Sequence, residues 1–255
     1  MPNWCDNQLS ITGPNSVIDK IEKIVKDDNS HENNGLLNFF YPMPKQLEGT
    51  EAGPPAKTKK EKMERARLQV EYGASNWYDW RTTNWSTKWE VCEFYGVDRQ
   101  YHSEQNEGES TISFGFSSAW APPIGAYEMF LEKNEECSLR AFYYEGGCDF
   151  MGEWRDGVDD CYAPSDYKST DDFWQDGIGS TLDDIFNITE SMAEYEAEQE
   201  EERLNEDVYK YSKGEKINIG DGRLMWTDEL FDEIQKGDKV WYENNVGQTC
   251  KAKAV

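Results

Sequence analysis

Carboxylates crowd one part of this chain enough to suggest a job. The 255 residues carry 51 acidic and 26 basic side chains, a formal net charge of −25, and the stretch Asp149–Asp207 alone holds twenty acids against Arg155, Lys168 and Arg203. Asp159, Asp160, Asp171, Asp172, Asp176, Asp183 and Asp184, then Glu194, Glu198, Glu201 and Glu202, are the candidates for a partner-binding acidic surface. Duplex DNA presents one charge per roughly 1.7 Å of axis, and acids every three or four residues along one helical face give a comparable spacing. Such a surface could occupy the DNA-binding groove of another protein. The plain alternative is that the acids only keep the protein in solution.

Other chemistries find fewer residues. His31 and His102 both lie in polar, loop-like segments without the neighbours of a triad or a zinc site. No phosphate-binding glycine loop and no GxSxG nucleophile turn is present. The stretch Asp172–Asp183 has acids at calcium-loop positions 1, 5 and 12 and Gly177 at position 6, but Trp174 at position 3 cannot ligate. It reads better as a turn before a capped helix, with Thr181 and Asp184 as the capping pair. Cys5, Cys92, Cys137, Cys148, Cys161 and Cys250 form no CxxC pair. We therefore expect no catalytic set, no metal site and no cofactor, although a carboxylate-held Mg²⁺ needs only one or two acids.

The ten tryptophans offer a different chemistry. Trp4, Trp85, Trp89 and Trp120 could line a pocket in which a nucleotide base stacks. Trp77 and Trp80 belong to the same part of the chain. The opposing reading is that these rings fill gaps between elements, since the basic residues that would hold a phosphate are not interleaved with them.

The elements that must position these residues follow from periodicity. Leu9 and Ile11 alternate with polar residues in a strand over Asn7–Thr12, and Ser16 to Asp19 has capping-box spacing before the apolar stripe Val17, Ile18, Ile21, Ile24, Val25. Lys57 to Tyr72 reads as a polar helix and the one basic segment. Trp89–Phe94 reads as a strand, Asp98–Gly108 as a hairpin loop, and Ile112, Phe114 and Phe116 alternate in the next strand. Pro122 and Pro123 precede a helix containing Ile124, Tyr127, Phe130 and Leu131, and Leu139–Tyr144 is a further strand. That succession predicts an α+β fold with a ferredoxin-like βαββαβ core over 1–155, interrupted by an insertion at about 28–84. An acidic, largely helical extension over 156–207 and a small α+β appendage over 208–255 complete the expected organisation. No leader and no apolar run of about 18 residues is present, which predicts reduced thiols in a cytoplasm.

Four short motifs add a resemblance. Met1-Pro2-Asn3-Trp4-Cys5-Asp6-Asn7, the Asn84-Trp85-x-Thr87-Lys88-Trp89 run, the Ser118-Ala119-Trp120-Ala121-Pro122-Pro123 corner and the Glu145-Gly146-x-x-x-Phe150-x-Gly152 turn resemble the YubB-type ferredoxin-like family. The resemblance implies carriage by phages, prophages and conjugative plasmids, and it brings no catalytic residues and no iron–sulfur cluster. Ser86 departs from the family, where glycine is more usual.

Together these observations lead us to expect a non-enzymatic mobile-element protein in the bacterial host cytoplasm. It would bind and inhibit a basic nucleic-acid-handling or defence protein, with DNA mimicry through the acidic surface as one route. The charge argues against nucleic acid or membrane as a direct partner, and homo-oligomerisation is left open. The alternative function is nucleotide binding in the tryptophan pocket.

Overall fold

β1 (Trp4–Pro14) runs through the middle of a six-stranded antiparallel sheet. Its side chains alternate as a strand with one buried face requires: Cys5, Asn7, Leu9 and Ile11 are buried, while Asp6, Gln8, Ser10 and Thr12 are partly exposed. The structure is a computed structural model that describes residues 3–27, 35–53, 56–91, 93–102, 108–194 and 197, with short pieces at 216–218, 224–226, 239–243 and 249–253.

β3 (Glu109–Ala119) pairs with β1 on one side and β4 (Ser138–Glu145) on the other. β2 (Tyr95–Tyr101) lies outside β3; β5 (Phe150–Arg155) and β6 (Val158–Tyr162) continue beyond β4, giving the order β2-β3-β1-β4-β5-β6. The partly exposed face is knitted by cross-strand hydroxyl pairs, Ser10–Ser113 at 2.8 Å and Thr12–Thr111 at 2.7 Å. Helix α1 (Asn15–Val25) buries Val17, Ile18, Ile21 and Val25. Arg99, on β2, ties it down by donating to Asp19, Glu22 and Asn15. Helix α5 (Ile124–Lys133), between β3 and β4, buries Ala126, Tyr127 and Phe130.

The insertion adds a second apolar layer to this core. Helix α2 (Leu36–Phe40) sets Phe40 against Phe130, with ring centres 4.5 Å apart, and α4 (Trp77–Asn84) brings in Trp80. Between them, α3 (Lys59–Tyr72) is almost wholly exposed, burying only Leu68, and is closed by a Thr58–Glu61 capping box. After β6, α6 (Thr170–Gln175) and α7 (Gly177–Phe186) follow, and Phe186 rests against Tyr144 on β4.

Several expectations need correction. Residues 89–91 and 93–94 are not in a strand; the second strand is β2, whose second half, Asp98–Tyr101, falls in the stretch read as a hairpin loop. Alternation failed there because β2 is an edge strand in which only Val97 and Arg99 are even half-buried. Helix α1 begins at Asn15 with no side-chain cap, so Ser16 and Asp19 do not form a capping box. Helix α7 begins four residues before Thr181, capped instead by Asp176. β5 and β6 form a hairpin around residues 155–158.

Met1–Ile188 forms one compact unit and Thr189–Val255 a second. In the second unit, β7 (Lys216–Asn218) pairs with β8 (Leu224–Trp226) and β9 (Lys239–Glu243) with β10 (Thr249–Lys253), all antiparallel. Most of the appendage expected over 208–255 and the acidic run after residue 197 lie outside the described residues.

Candidate functional site

Four segments far apart in the sequence meet at one end of the sheet. At the start of β1, Asn7 donates through Nδ2 to Ser118 Oγ (2.9 Å) and to the Cys5 carbonyl (2.8 Å), and the Trp120 amide donates to the Asn3 carbonyl at 3.0 Å. The loop after α4 is fastened to the same corner. Thr87 Oγ1 donates to the Ala119 carbonyl at 2.8 Å, and the Gly125 amide donates to Ser86 Oγ at 3.2 Å. At the β4–β5 turn, Glu145 accepts from the Gly147 amide (3.0 Å) and the Cys148 amide (2.5 Å), and Asn3 Nδ2 reaches Cys148 Sγ at 3.3 Å. The Glu145 contact raises the Cys148 thiol pKa above its ordinary value. These ties join all four of the short motifs noted in the sequence.

Their outward side chains form a surface of rings around one ammonium. Lys88 Nζ lies 4.3 Å from the centre of the Trp89 ring, 5.0 Å from Trp120 and 6.0 Å from Tyr78. Trp4 approaches Trp89 at 5.8 Å, and Tyr78 meets Trp120 at 6.4 Å and Trp77 at 5.8 Å. Trp4 is 51% and Trp120 39% exposed, unusual for side chains that stabilise most when buried. Trp120 and Ser86 both hold positive φ, 71° and 65°, a conformation costly for residues with a Cβ. The left-handed backbone at Ser86 is one that glycine adopts without strain. Beside the rings opens a cleft of about 520 Å³ whose lining includes Trp77, Tyr78, Lys88, Arg65, Ser75 and Asp79. The Asp79 carboxylate accepts from Asn76 Nδ2 at 2.6 Å.

Of the four tryptophans expected to line a pocket, Trp4, Trp89 and Trp120 come together. Trp85 does not: it is fully buried, its indole N–H donates to the Tyr41 carbonyl at 2.8 Å, and its ring packs on Trp80 and under the Arg81 guanidinium. Spacing could not separate them, because the loop turns between Trp85 and Trp89. The expectation that no cation is interleaved with the rings is also corrected, since Lys88 sits among them.

No family model matches the chain, and no curated protein matches it. Among solved structures, it is similar to the crystal structure of a protein api92 from Yersinia pseudotuberculosis, described by the family model DUF1281, at 10% identity and a TM-score of 0.34. That likeness covers 66% of this chain and 96% of the other.

The acidic candidates are distributed over separate elements. Asp159 and Asp160 lie on β6, Asp171 and Asp172 in the first turn of α6, Asp183 and Asp184 on α7, and Glu194 in the second unit. Glu198, Glu201 and Glu202 lie outside the described residues. Several acids have structural tasks. Asp159 accepts from the Tyr143 hydroxyl at 2.7 Å, Asp176 accepts from the Ile178 amide and from Tyr167 at 2.6 Å, and Asp183 is buried. The calcium-loop spacing is likewise not realised as a loop, since residues 172–183 form the end of α6, a cap and most of α7. Among the described residues no His, Cys, Asp or Glu cluster has metal-holding geometry, and no helix is long and apolar enough to cross a membrane.

Proposed function

We propose that this is a non-enzymatic binding protein that takes a nucleotide on the surface formed by Trp4, Tyr78, Lys88, Trp89 and Trp120. One observation carries the reading: the Lys88 ammonium is held over two indole rings, the half-buried Trp89 and the exposed Trp120, and makes no ion pair among the described residues. An aromatic base stacks on the ring faces, and the phosphate meets an ammonium already fixed in place. The whole-molecule charge does not describe this locality. Residues 56–88 carry eight basic side chains against four acidic ones. The test is quenching of tryptophan fluorescence by a panel of nucleotides. Lys88→Gln is expected to weaken binding about tenfold or more, the loss of one charged hydrogen bond. A flat response across the panel would end the reading.

A second reading keeps the acidic surface as the working face, with a basic host nucleic-acid-handling or defence protein as partner. It is supported by β6, an edge strand with all five residues exposed that carries Asp159 and Asp160. Charge reversal at Asp160, Asp171 and Asp184 together should abolish salt-sensitive capture of such a partner; unchanged capture would sink it. On either reading we propose the YubB-type family, with its phage or plasmid origin, on the strength of the four motifs. We propose a ferredoxin-like core on the β1-α1-β2-β3-α5-β4 succession.

A further inference from the structure

We infer that the ligand of the aromatic surface is a short oligonucleotide of at least two bases, an inference that rests on the nucleotide reading. A mononucleotide needs one ring platform and one cation. This surface has more, in alternating order. Trp4 and Trp89 form one platform, 5.8 Å apart. Lys88 follows, 4.3 Å from the Trp89 ring and 5.0 Å from Trp120. Trp120, with Tyr78 and Trp77 in successive edge contacts beside it, offers a second ring face. Beyond it, Arg65 lines the cleft of about 520 Å³, and a neighbouring cleft of about 460 Å³ shares Arg65 and Ser75 with it and adds Lys57. Ring, cation, ring, cation matches base, phosphate, base, phosphate. Of the three acids lining the second cleft, Glu51, Glu61 and Glu64, the last two are already engaged. Glu61 accepts from the Lys57 amide at 2.8 Å and closes the α3 capping box, and Glu64 pairs with Arg67 at 2.8 Å.

Charge sets the upper limit on length. Residues 56–88 have a small excess of cations, whereas the whole chain stands at −25. A long polyanion leaving this patch meets repulsion, so added nucleotides beyond the patch bring no gain. Binding is therefore expected to lose affinity with salt, with the shallow slope of one to three phosphate contacts.

The experiment is calorimetric titration of the full chain with three probes: adenosine 5′-monophosphate, the 5′-phosphorylated adenosine dinucleotide, and a 20-residue adenosine oligonucleotide. The dinucleotide is expected to bind at least tenfold more tightly than the mononucleotide. The 20-mer should gain no more over the dinucleotide than its number of overlapping sites allows. Trp4→Ala, at a half-exposed ring, should reduce dinucleotide affinity to near the mononucleotide level while leaving the unfolding temperature unchanged. Equal affinities for mono- and dinucleotide overturn the inference and leave the nucleotide reading standing. No binding of any probe overturns both. A 20-mer affinity far beyond the statistical gain overturns the length limit.

Discussion

Lys88 and Trp85 stand three residues apart in one motif and do opposite things. Trp85 is buried and hydrogen-bonded to the Tyr41 carbonyl, whereas Lys88 is aimed at the half-buried Trp89 and the exposed Trp120. Trp85→Ala should therefore cost about 3–5 kcal/mol of stability, while Trp4→Ala should leave stability within about 0.5 kcal/mol; chemical denaturation distinguishes the two. A second residue gives a pH signature. Glu90 turns its carboxylate to the start of α2, accepting from the amides of Leu37 (2.7 Å), Asn38 (2.8 Å) and Val91 (3.2 Å). Gly35 is required there, because a Cβ at that position would collide with the Glu90 side chain. Burial pushes the Glu90 carboxyl up from 4.5 to about 7, against the pull of those amides and of Arg81. A carboxyl with a raised folded-state pKa contributes stability that is full below pH 4.5 and is lost as pH rises through about 7. Glu90→Gln should flatten the fall in stability between those values; an unchanged slope would assign it to other groups.

At the scale of elements, strong periodicity was readable and edge structure was not. β1, α1, β3, α5 and β4 each bury one face, so alternation or helical spacing marks them in the sequence. β2 and β6 bury almost nothing, and their residues carry no such imprint. The insertion was legible as a basic helix, yet its packing on α5 through Phe40 was not, because that contact joins residues about ninety positions apart. For the same reason the tryptophan pocket was half readable. The ring types were visible, but the hydrogen bonds of Thr87 and Ser86 that fold the loop onto the β3–α5 corner were not. The acids of α6 and α7 divide in a testable way. Asp176 caps α7 and accepts from Tyr167, so Asp176→Ala should cost about 1–2 kcal/mol. Asp171→Asn, at an exposed site in the first turn of α6, should change stability by less than about 1 kcal/mol.

The whole molecule combines a strongly acidic composition with a local site of the opposite character. The excess of acid sits mainly between Asp149 and Asp207, and the aromatic–lysine surface is built from residues 4, 77–78, 88–89 and 120. Every one of the latter lies in the unit Met1–Ile188, which has its own apolar core. A fragment ending at Ile188 should unfold cooperatively and retain the nucleotide response of the full chain. Loss of that response in a folded fragment would place part of the site in the second unit. The most direct measurement is an NMR titration of the indole N–H signals of the full chain with adenosine 5′-monophosphate. The account predicts that the Trp89 and Trp120 signals shift in a saturable way while those of the buried Trp85 and Trp154 stay in place. Saturable shifts confined to other tryptophans, or none at all, would contradict it.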